Sequence, residues 1–107
     1  LVAEWDSPTA MIFGHLGDGN LHVIVGVGDG EPEARRRVEE IVYSPLRHIG
    51  GSVSAEHGIG LEKRPYLGWS RTPEEVALMH TLKATLDPKG ILNPGKVLDP
   101  GLRAAAE

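Results

Sequence analysis

The dipeptide Asp18-Gly19 stands between two apolar runs and constrains the fold more than any other feature of this 107-residue sequence. Residues 10–13 and 21–27 are short and apolar, and the second run is rich in β-branched side chains, which favours strands. Asp-Gly between two strands is a strong signal for a tight hairpin, because glycine readily adopts a positive φ. We therefore predict an antiparallel hairpin with Asp18-Gly19 at the centre of its turn and His15 opposite His22.

His15 and His22 would then share one face of the hairpin. Directly opposed residues have Cβ atoms about 4.5–5.5 Å apart, a spacing at which two imidazoles can hold one metal ion. A register slip of one residue would move the two side chains to opposite faces and destroy the site. The alternative is a hairpin with two incidental histidines. We expect Asp18 to be a turn residue and not a ligand.

Two helices are predicted downstream of the hairpin. The first begins near Pro32 and ends at Gly50-Gly51, and Pro45 should kink it or end its regular part. The second begins at Thr72 with a capping box, because Glu75 follows three residues later. Its predicted buried face consists of Val76, Met79, Leu82 and Leu86.

The predicted fold class is α+β, with a further short strand over residues 52–55 and a turn of helix within residues 61–67. The order of elements indicates part of a ferredoxin-like antiparallel sheet with helices on one face, plus a C-terminal helix and an extended tail. Residues 10–60 hold the hairpin, helix and strand with the metal site. Residues 72–99 hold the C-terminal helix and an Asn-Pro-Gly-Lys turn, and residues 100–107 form a tail that we expect to be disordered. The open sheet edge could pair with a second copy and give a homodimer.

A carboxylate and a histidine adjoin each other at the end of the predicted strand over residues 52–55. Glu56 could join His15 and His22 as a third ligand, and two histidines with one carboxylate suit zinc or another divalent transition metal. Successive strand residues point to opposite faces, so Glu56 and His57 cannot both simply be ligands. If the chain turns at Gly58, His57 can serve as a general base, because imidazole is the side chain best suited to accept and release a proton near neutral pH. Taken alone, this segment is better explained as an exposed charged turn.

The segment DPKGILNPGK follows the second helix and ends it with a compact turn. Turn chemistry explains each of its residues. Asn93 and Lys96 could contact an anion or the edge of a ring, although nothing in the local sequence requires it.

Composition excludes several classes of function. The chain has no cysteine, which excludes disulfides, thiolate metal sites and cysteine nucleophiles. Its net charge of −4 and the acidic residues that follow Arg35-Arg36-Arg37 argue against nucleic acid as a partner, because phosphate binding needs a clustered basic surface. No apolar run reaches the ~20 residues of a membrane span. We expect a cytoplasmic protein, at most peripheral to a membrane through an electron acceptor.

The motifs GHLGDGNLH, SAEHGIG and LDPKGILNPGK occur in this order over residues 14–96. Together they resemble the C-terminal domain of FAD-linked oxidases of the vanillyl-alcohol-oxidase type. This group includes the glycolate oxidase FAD subunit, D-lactate dehydrogenase and D-2-hydroxyglutarate dehydrogenase. The resemblance covers residues 10 to about 99, and three motifs in order are far more specific than any one of them.

The resemblance implies a fold, a cofactor and a mechanism. FAD would be bound mainly by a separate N-terminal domain, and this chain would be the C-terminal domain that caps the flavin and supplies the substrate side of the site. His15, His22 and Glu56 match the divalent metal ligands of the family, with zinc expected. His57 matches the base that takes the hydroxyl proton of a small D-2-hydroxy acid as hydride passes to FAD, which gives the 2-oxo acid. The turn with Asn93 and Lys96 matches a segment that lies near the flavin.

Two departures from the family limit these expectations. The FAD-binding domain is absent from this sequence, so we expect no turnover by this chain alone. Ile24 stands two residues after His22, where hydroxyglutarate-type members carry a polar Asn. This difference favours glycolate or D-lactate over a substrate with a second carboxylate.

Two other functions are compatible with the same residues. One is a stand-alone module that binds a divalent metal or uses it for hydrolysis. The other is a catalytically silent domain that binds a partner through its open sheet edge.

Overall fold

The computed structural model describes residues 5–28 and 30–100 and confirms an α+β fold. The chain divides into two compact units, Leu1–Ile49 and Gly50–Glu107. The elements, in chain order, are strands β1 (Thr9–His15) and β2 (Asn20–Gly26), helices α1 (Pro32–Tyr43) and α2 (Leu46–Ile49), a 3-10 helix (Arg64–Trp69) and helix α3 (Pro73–Leu86). None of these helices is long and apolar enough to cross a membrane.

The hairpin of the first unit forms as predicted, but with a different register. His15 lies opposite Asn20, and His22 lies opposite Phe13, so the expected pairing of His15 with His22 is wrong. The connection is a four-residue loop over residues 16–19, because the Asp18 carboxylate accepts a hydrogen bond from the backbone N–H of Asn20 at 3.2 Å. The register differs from the prediction by two residues, an even number, so His15 and His22 still share a face.

Pro45 ends the regular part of the first helical segment, as predicted. Helix α1 stops at Tyr43, and the short helix α2 begins at Leu46. A proline at position 45 cannot donate a backbone hydrogen bond, which explains the interruption. Gly50 then takes a positive φ of 67°, a conformation that ends helices.

The basic cluster of α1 is a solvated helix face, as the sequence indicates. All three arginines are exposed and form ion pairs with acidic residues three or four positions away. These pairs are Arg35–Glu39, Arg36–Glu33, Arg36–Glu40 and Arg37–Glu40. The surrounding carboxylates leave no clustered positive surface for phosphates on this helix.

Residues 52–55 do not form the predicted strand. Serine side chains take the backbone hydrogen bonds that a neighbouring strand would need. The Ser52 hydroxyl donates to the Ser54 carbonyl at 2.9 Å, and the Ser70 hydroxyl accepts from the N–H of Val53 at 2.8 Å. Val53 is buried in this arrangement, together with Tyr66 and Leu67 of the 3-10 helix. The helical turn expected within residues 61–67 is confirmed, although it extends to Trp69.

Helix α3 begins as predicted, and its half-buried face differs in part from the predicted one. The Thr72 hydroxyl accepts from the N–H of Glu75, and the Glu75 carboxylate accepts from the N–H of Thr72, which completes the capping box. The half-buried face contains Val76 and Met79, as expected, together with His80, Lys83 and Ala84. Leu82 and Leu86 are exposed, so their predicted burial is wrong. A disordered tail was expected over residues 100–107, of which 101–107 lie outside the described residues.

Candidate functional site

The two hairpin histidines are neighbours on one face of the sheet. Their ring centroids lie 5.7 Å apart, with the rings tilted by 59°. The ring of Phe13 stacks on His22 at 5.1 Å with an angle of 11°, which restricts the orientation of that imidazole. His15 is exposed and His22 is half-buried. This face therefore presents two imidazoles at a separation that suits a shared small ligand or ion.

Asp18 links the turn of the hairpin to the first histidine. One oxygen of its carboxylate accepts from the N–H of Asn20, which confirms its expected role in the turn. The other oxygen lies 3.8 Å from Nδ1 of His15. This distance is longer than a hydrogen bond, so Asp18 is a charged neighbour of the imidazole and its bonded partner is the backbone of the turn.

Glu56 and His57 lie in the second unit, on an exposed loop whose two ends are joined by a hydrogen bond. The Ser54 hydroxyl donates to the Gly58 carbonyl at 2.7 Å, and Gly58 has a φ of 78°, which makes the tight turn possible. The turn at Gly58 on which the role of His57 depends is therefore present. The structure brings His15 and His22 together within the first unit, and the joining of Glu56 to them stays a prediction. Within either unit, the described residues contain no group of three His, Asp or Glu side chains that could hold a metal ion.

The second and third sequence motifs meet inside the second unit. The N–H of Val97 donates to the Gly60 carbonyl at 2.8 Å. The Arg64 guanidinium donates from Nη1 to the Gly95 carbonyl at 2.6 Å. The loop with His57 and the turn with Asn93 are thus tied together by two hydrogen bonds, one on each side of Lys96.

Two residues of this turn adopt backbone conformations that side chains disfavour. Asn93 has a φ of 45°, which asparagine tolerates, and Val97 has a φ of 65°, which is rare for a β-branched residue. Such a conformation costs on the order of 1–3 kcal/mol and persists where surrounding contacts impose it. The hydrogen bond between Val97 and Gly60 is such a contact.

A buried carboxylate fixes the start of the same segment. Asp87 accepts hydrogen bonds from the Lys83 ammonium at 2.6 Å and from the backbone N–H groups of Ile91 and Leu92 at 3.0 Å each. The Lys83 ammonium also donates to the Leu92 carbonyl. The bond from Lys83, with those from Leu92 and Ile91, lowers the pKa of Asp87 against the opposing effect of burial. This arrangement holds the chain between α3 and the Asn93 turn in one conformation.

Sequence reasoning missed Arg64 and Asp87 as residues that organise this region. The spacing of Lys83 and Asp87, four residues apart at the end of a helix, could have indicated an ion pair. Arg64 offered no such signal, because its partner carbonyl lies 31 residues away. Asn93 and Lys96 were proposed to contact a cofactor, and both side chains are exposed on the turn that these contacts hold.

Comparison with known proteins identifies the family of this chain. Residues 4–97 match the family described as FAD linked oxidases, C-terminal domain. D-2-hydroxyglutarate dehydrogenase, mitochondrial, from Danio rerio is 49% identical over 86 residues, which are 80% of this chain and 16% of that protein. The Arabidopsis thaliana protein of the same name is 46% identical over 93 residues, 87% of this chain and 17% of the relative. D-2-hydroxyglutarate dehydrogenase from Stutzerimonas stutzeri is 43% identical over 90 residues, 79% of this chain and 19% of the relative.

The match extends across all three sequence motifs, and the chain spans less than one fifth of the length of each of these relatives. Its resemblance to flavin-linked oxidases is thereby confirmed by both the family match and the individual relatives. The chain belongs to the C-terminal domain family of the FAD linked oxidases.

Proposed function

We propose that this chain is the substrate-side domain of a flavin-dependent dehydrogenase that oxidises a small D-2-hydroxy acid to the 2-oxo acid. The observation that carries the proposal is the pair of imidazoles, His15 and His22, on one hairpin face of a chain from this family. FAD, bound mainly by an N-terminal domain, would supply the acceptor for the two electrons and the hydrogen removed from the substrate carbon. The exposed side chains of Asn93 and Lys96 fit a contact with the edge of the flavin ring, because one offers an amide and the other a cation.

In this proposal His15 and His22 would hold a divalent metal, and Glu56 is the proposed third ligand. The fit is supported by the chemistry of the donors and by the 5.7 Å between the two ring centroids, since neutral imidazoles are common ligands of zinc. A bound zinc ion would supply Lewis-acid polarisation of the substrate hydroxyl. The proposed role of the two histidines is to offer one ring nitrogen each.

His57 is the proposed general base. Its imidazole would take the proton of the substrate hydroxyl at a ring nitrogen while the hydrogen on the same carbon leaves as hydride. The exposed position of His57 on the closed loop supports this role, because a base must reach the substrate. The hydrogen bond from Ser54 to Gly58 keeps that loop in one conformation.

Ile24 favours a substrate without a second carboxylate. It lies opposite Met11 and on the same face as His22, with 54% of its surface exposed. An apolar side chain beside the histidines offers no hydrogen bond to a distal carboxylate, and an unpaired carboxylate there would lose affinity. We therefore favour glycolate or D-lactate, although the relatives are named for D-2-hydroxyglutarate.

Formation of a homodimer and location in the cytoplasm are further predictions of this proposal. Within the described residues, β1 and β2 pair only with each other, so each strand keeps one open edge through which a homodimer could form. Light scattering after size exclusion would show a doubled mass if this edge pairs two copies. A cytoplasmic location is also still a prediction, and several relatives are named as mitochondrial.

A chimaera tests the proposal directly. The 107-residue chain replaces the matching C-terminal segment of the Stutzerimonas stutzeri relative, and the purified protein is mixed anaerobically with glycolate, D-lactate or D-2-hydroxyglutarate. We expect bound flavin that loses its visible absorbance with one of these acids. A chimaera that holds flavin and is reduced by none of them would contradict the proposal.

Two variants of the chimaera separate the proposed roles. His57→Asn should hold flavin and metal but lose flavin reduction by about 10²–10⁴-fold, the usual contribution of a general base. The matched control is His48→Asn, because His48 lies at the end of α2 and outside the proposed site. His15→Ala should lower the measured zinc content, and zinc content unchanged by this substitution would argue against the metal assignment.

A further inference from the structure

The loop with His57 and the turn with Asn93 share one set of contacts. Arg64 begins the 3-10 helix that follows the His57 loop, and its half-buried guanidinium reaches the Gly95 carbonyl at 2.6 Å. The backbone bond from Val97 to Gly60 lies beyond that turn, at 2.8 Å. The turn is therefore held on two sides by the segment that carries the proposed base.

One residue beside the turn has a backbone conformation that local preference disfavours, and a long-range hydrogen bond holds it there. Val97 has a φ of 65°, a value that β-branched residues avoid. Gly60 and Gly95, the two residues whose carbonyls accept the connecting bonds, have positive φ values of 57° and 71°, which glycine adopts readily. Disfavoured conformations that are held by long-range bonds are often found where a functional group has to be placed accurately.

We propose that Arg64 is a positioning residue that holds the Asn93 turn against the His57 loop, so that the flavin-side contact and the base are placed together. This inference rests on the proposed function of His57 and Asn93. Arg64 touches neither substrate nor flavin in this scheme, since its guanidinium is engaged with the Gly95 carbonyl. Loss of the guanidinium would let the turn move relative to the base while both remain present.

Substitution of Arg64 in the chimaera tests this role by stopped-flow reduction of the flavin. In Arg64→Ala the rate of flavin reduction at saturating substrate should fall by roughly 10- to 100-fold, as displacement of reacting groups by about 1 Å can cause. The apparent dissociation constant of the substrate should change little, and the visible spectrum of the bound flavin should shift. Arg64→Lys can still donate one hydrogen bond to the carbonyl, so it should recover part of the rate.

Arg71 provides a matched control. Its guanidinium also donates to a backbone carbonyl at 2.7 Å, but the acceptor is the adjacent Ser70, so the bond joins no distant segments. Arg71→Ala should leave the rate of flavin reduction and the flavin spectrum unchanged. In a double-mutant cycle, Asn93→Ala should reduce the effect of Arg64→Ala, because Arg64 is proposed to act through that turn.

The outcomes distinguish the two proposals. If the unsubstituted chimaera holds flavin that no hydroxy acid reduces, the proposed function fails and the positioning role fails with it. If the unsubstituted chimaera is reduced and Arg64→Ala is reduced at the same rate, only the positioning role is overturned, even where the thermal stability falls. If Arg64→Ala does not fold, Arg64→Met decides, because it keeps an apolar side chain of similar length and cannot donate to the Gly95 carbonyl. A normal melting temperature with a lowered rate supports the role, and an unchanged rate overturns it.

Discussion

Asp87 combines a buried position with a negative charge, and its partners explain how it tolerates both. Only 4% of its surface is exposed, and its carboxylate accepts from the Lys83 ammonium and from two backbone N–H groups. These bonds lower the pKa of Asp87, the bond from Lys83 most of all. A lowered pKa in the folded state means that the stabilisation is complete above the unfolded value of ~3.9 and is lost as the pH falls through the folded value.

We expect Asp87→Asn to lower the melting temperature of the chain at neutral pH and to remove the part of its acid sensitivity that Asp87 causes. The neutral amide loses the ion pair with Lys83 and keeps at most one acceptor oxygen for Ile91 and Leu92. Thermal melts followed by Trp69 fluorescence would measure the melting temperature of the second unit. Both proteins would carry Trp5→Phe, so that Trp69 is the only fluorescent tryptophan. The difference between the two proteins should shrink near pH 3, about one unit below the ordinary value. Equal melting temperatures at neutral pH would show that these bonds add no stability.

A second prediction concerns the side chain of Ile24, and this prediction rests on the proposed function. Ile24→Asn places an amide on the histidine face of the hairpin, where it can donate to a distal carboxylate. We expect the ratio of kcat/KM for D-2-hydroxyglutarate to that for D-lactate to rise by roughly 10-fold, the usual value of a hydrogen bond to a charged group. Ile12→Asn is the control, because Ile12 is also exposed but lies on the opposite face, across from Val23. An equal change in both variants would remove Ile24 as a specificity residue.

The hairpin as an element depends on a glycine at one position of β1. A Cβ atom added at Gly14 would lie 1.9 Å from the Asn20 carbonyl oxygen, and no side-chain rotation could relieve a contact with backbone. We expect Gly14→Ala to force the strands apart beside His15 and to destabilise the hairpin by about 1–3 kcal/mol or more. Chemical shifts of the His15 and His22 ring protons would report the change. Gly17→Ala should have no such effect, since nothing lies within 4 Å of its added Cβ. Unchanged shifts in Gly14→Ala would contradict the close approach.

Local signals in the sequence predicted where elements begin and end. The capping box at Thr72, the break at Pro45 and the turn at Asp18 all depend on residues within a few positions of one another. The hairpin register was predicted incorrectly because the Asp18 side chain competes for the backbone of the turn. The two histidines nevertheless share a face, as predicted, because side chains alternate with a period of two and the register shift was an even number of residues.

Predictions that required long-range information failed or were not made. The strand over residues 52–55 did not form because the Ser70 hydroxyl, distant in sequence, takes the N–H of Val53. The contact of Arg64 with Gly95 has no local signature for the same reason. Candidate residues for a site could be chosen from their chemistry and spacing, whereas the contacts between distant segments, such as that of Arg64 with Gly95, could not.

Apolar surface is distributed unevenly over the molecule. The buried hydrophobic residues among those described are Val53, Tyr66 and Leu67, and all three belong to the second unit. In the described part of the first unit the only buried residue is the polar Asn20. An isolated two-stranded hairpin with exposed apolar faces is marginally stable in water. The chain on its own should therefore offer much apolar surface to solvent or to a partner.

Helix α3 carries the clearest such surface, a stripe of three leucines at four-residue spacing. Leu78, Leu82 and Leu86 are 58%, 52% and 77% exposed and lie on one side of the helix. We expect the isolated chain to bind a hydrophobic dye such as anilinonaphthalene sulfonate, and Leu82→Glu to lower the dye fluorescence while the helical circular dichroism stays the same. The control is Thr81→Glu, which adds the same charge at the adjacent exposed residue and removes no leucine.

The comparison between these two variants separates apolar exposure from charge. If the stripe faces solvent, removal of one leucine costs little folding free energy, because surface substitutions usually change it by less than about 0.5 kcal/mol. Thr81→Glu should then match the unsubstituted chain in dye binding, and Leu82→Glu should fall below both. A loss of the Trp69 signal in Leu82→Glu alone would instead mean that Leu82 packs inside the isolated chain. That result would contradict the solvent exposure of the three leucines on α3.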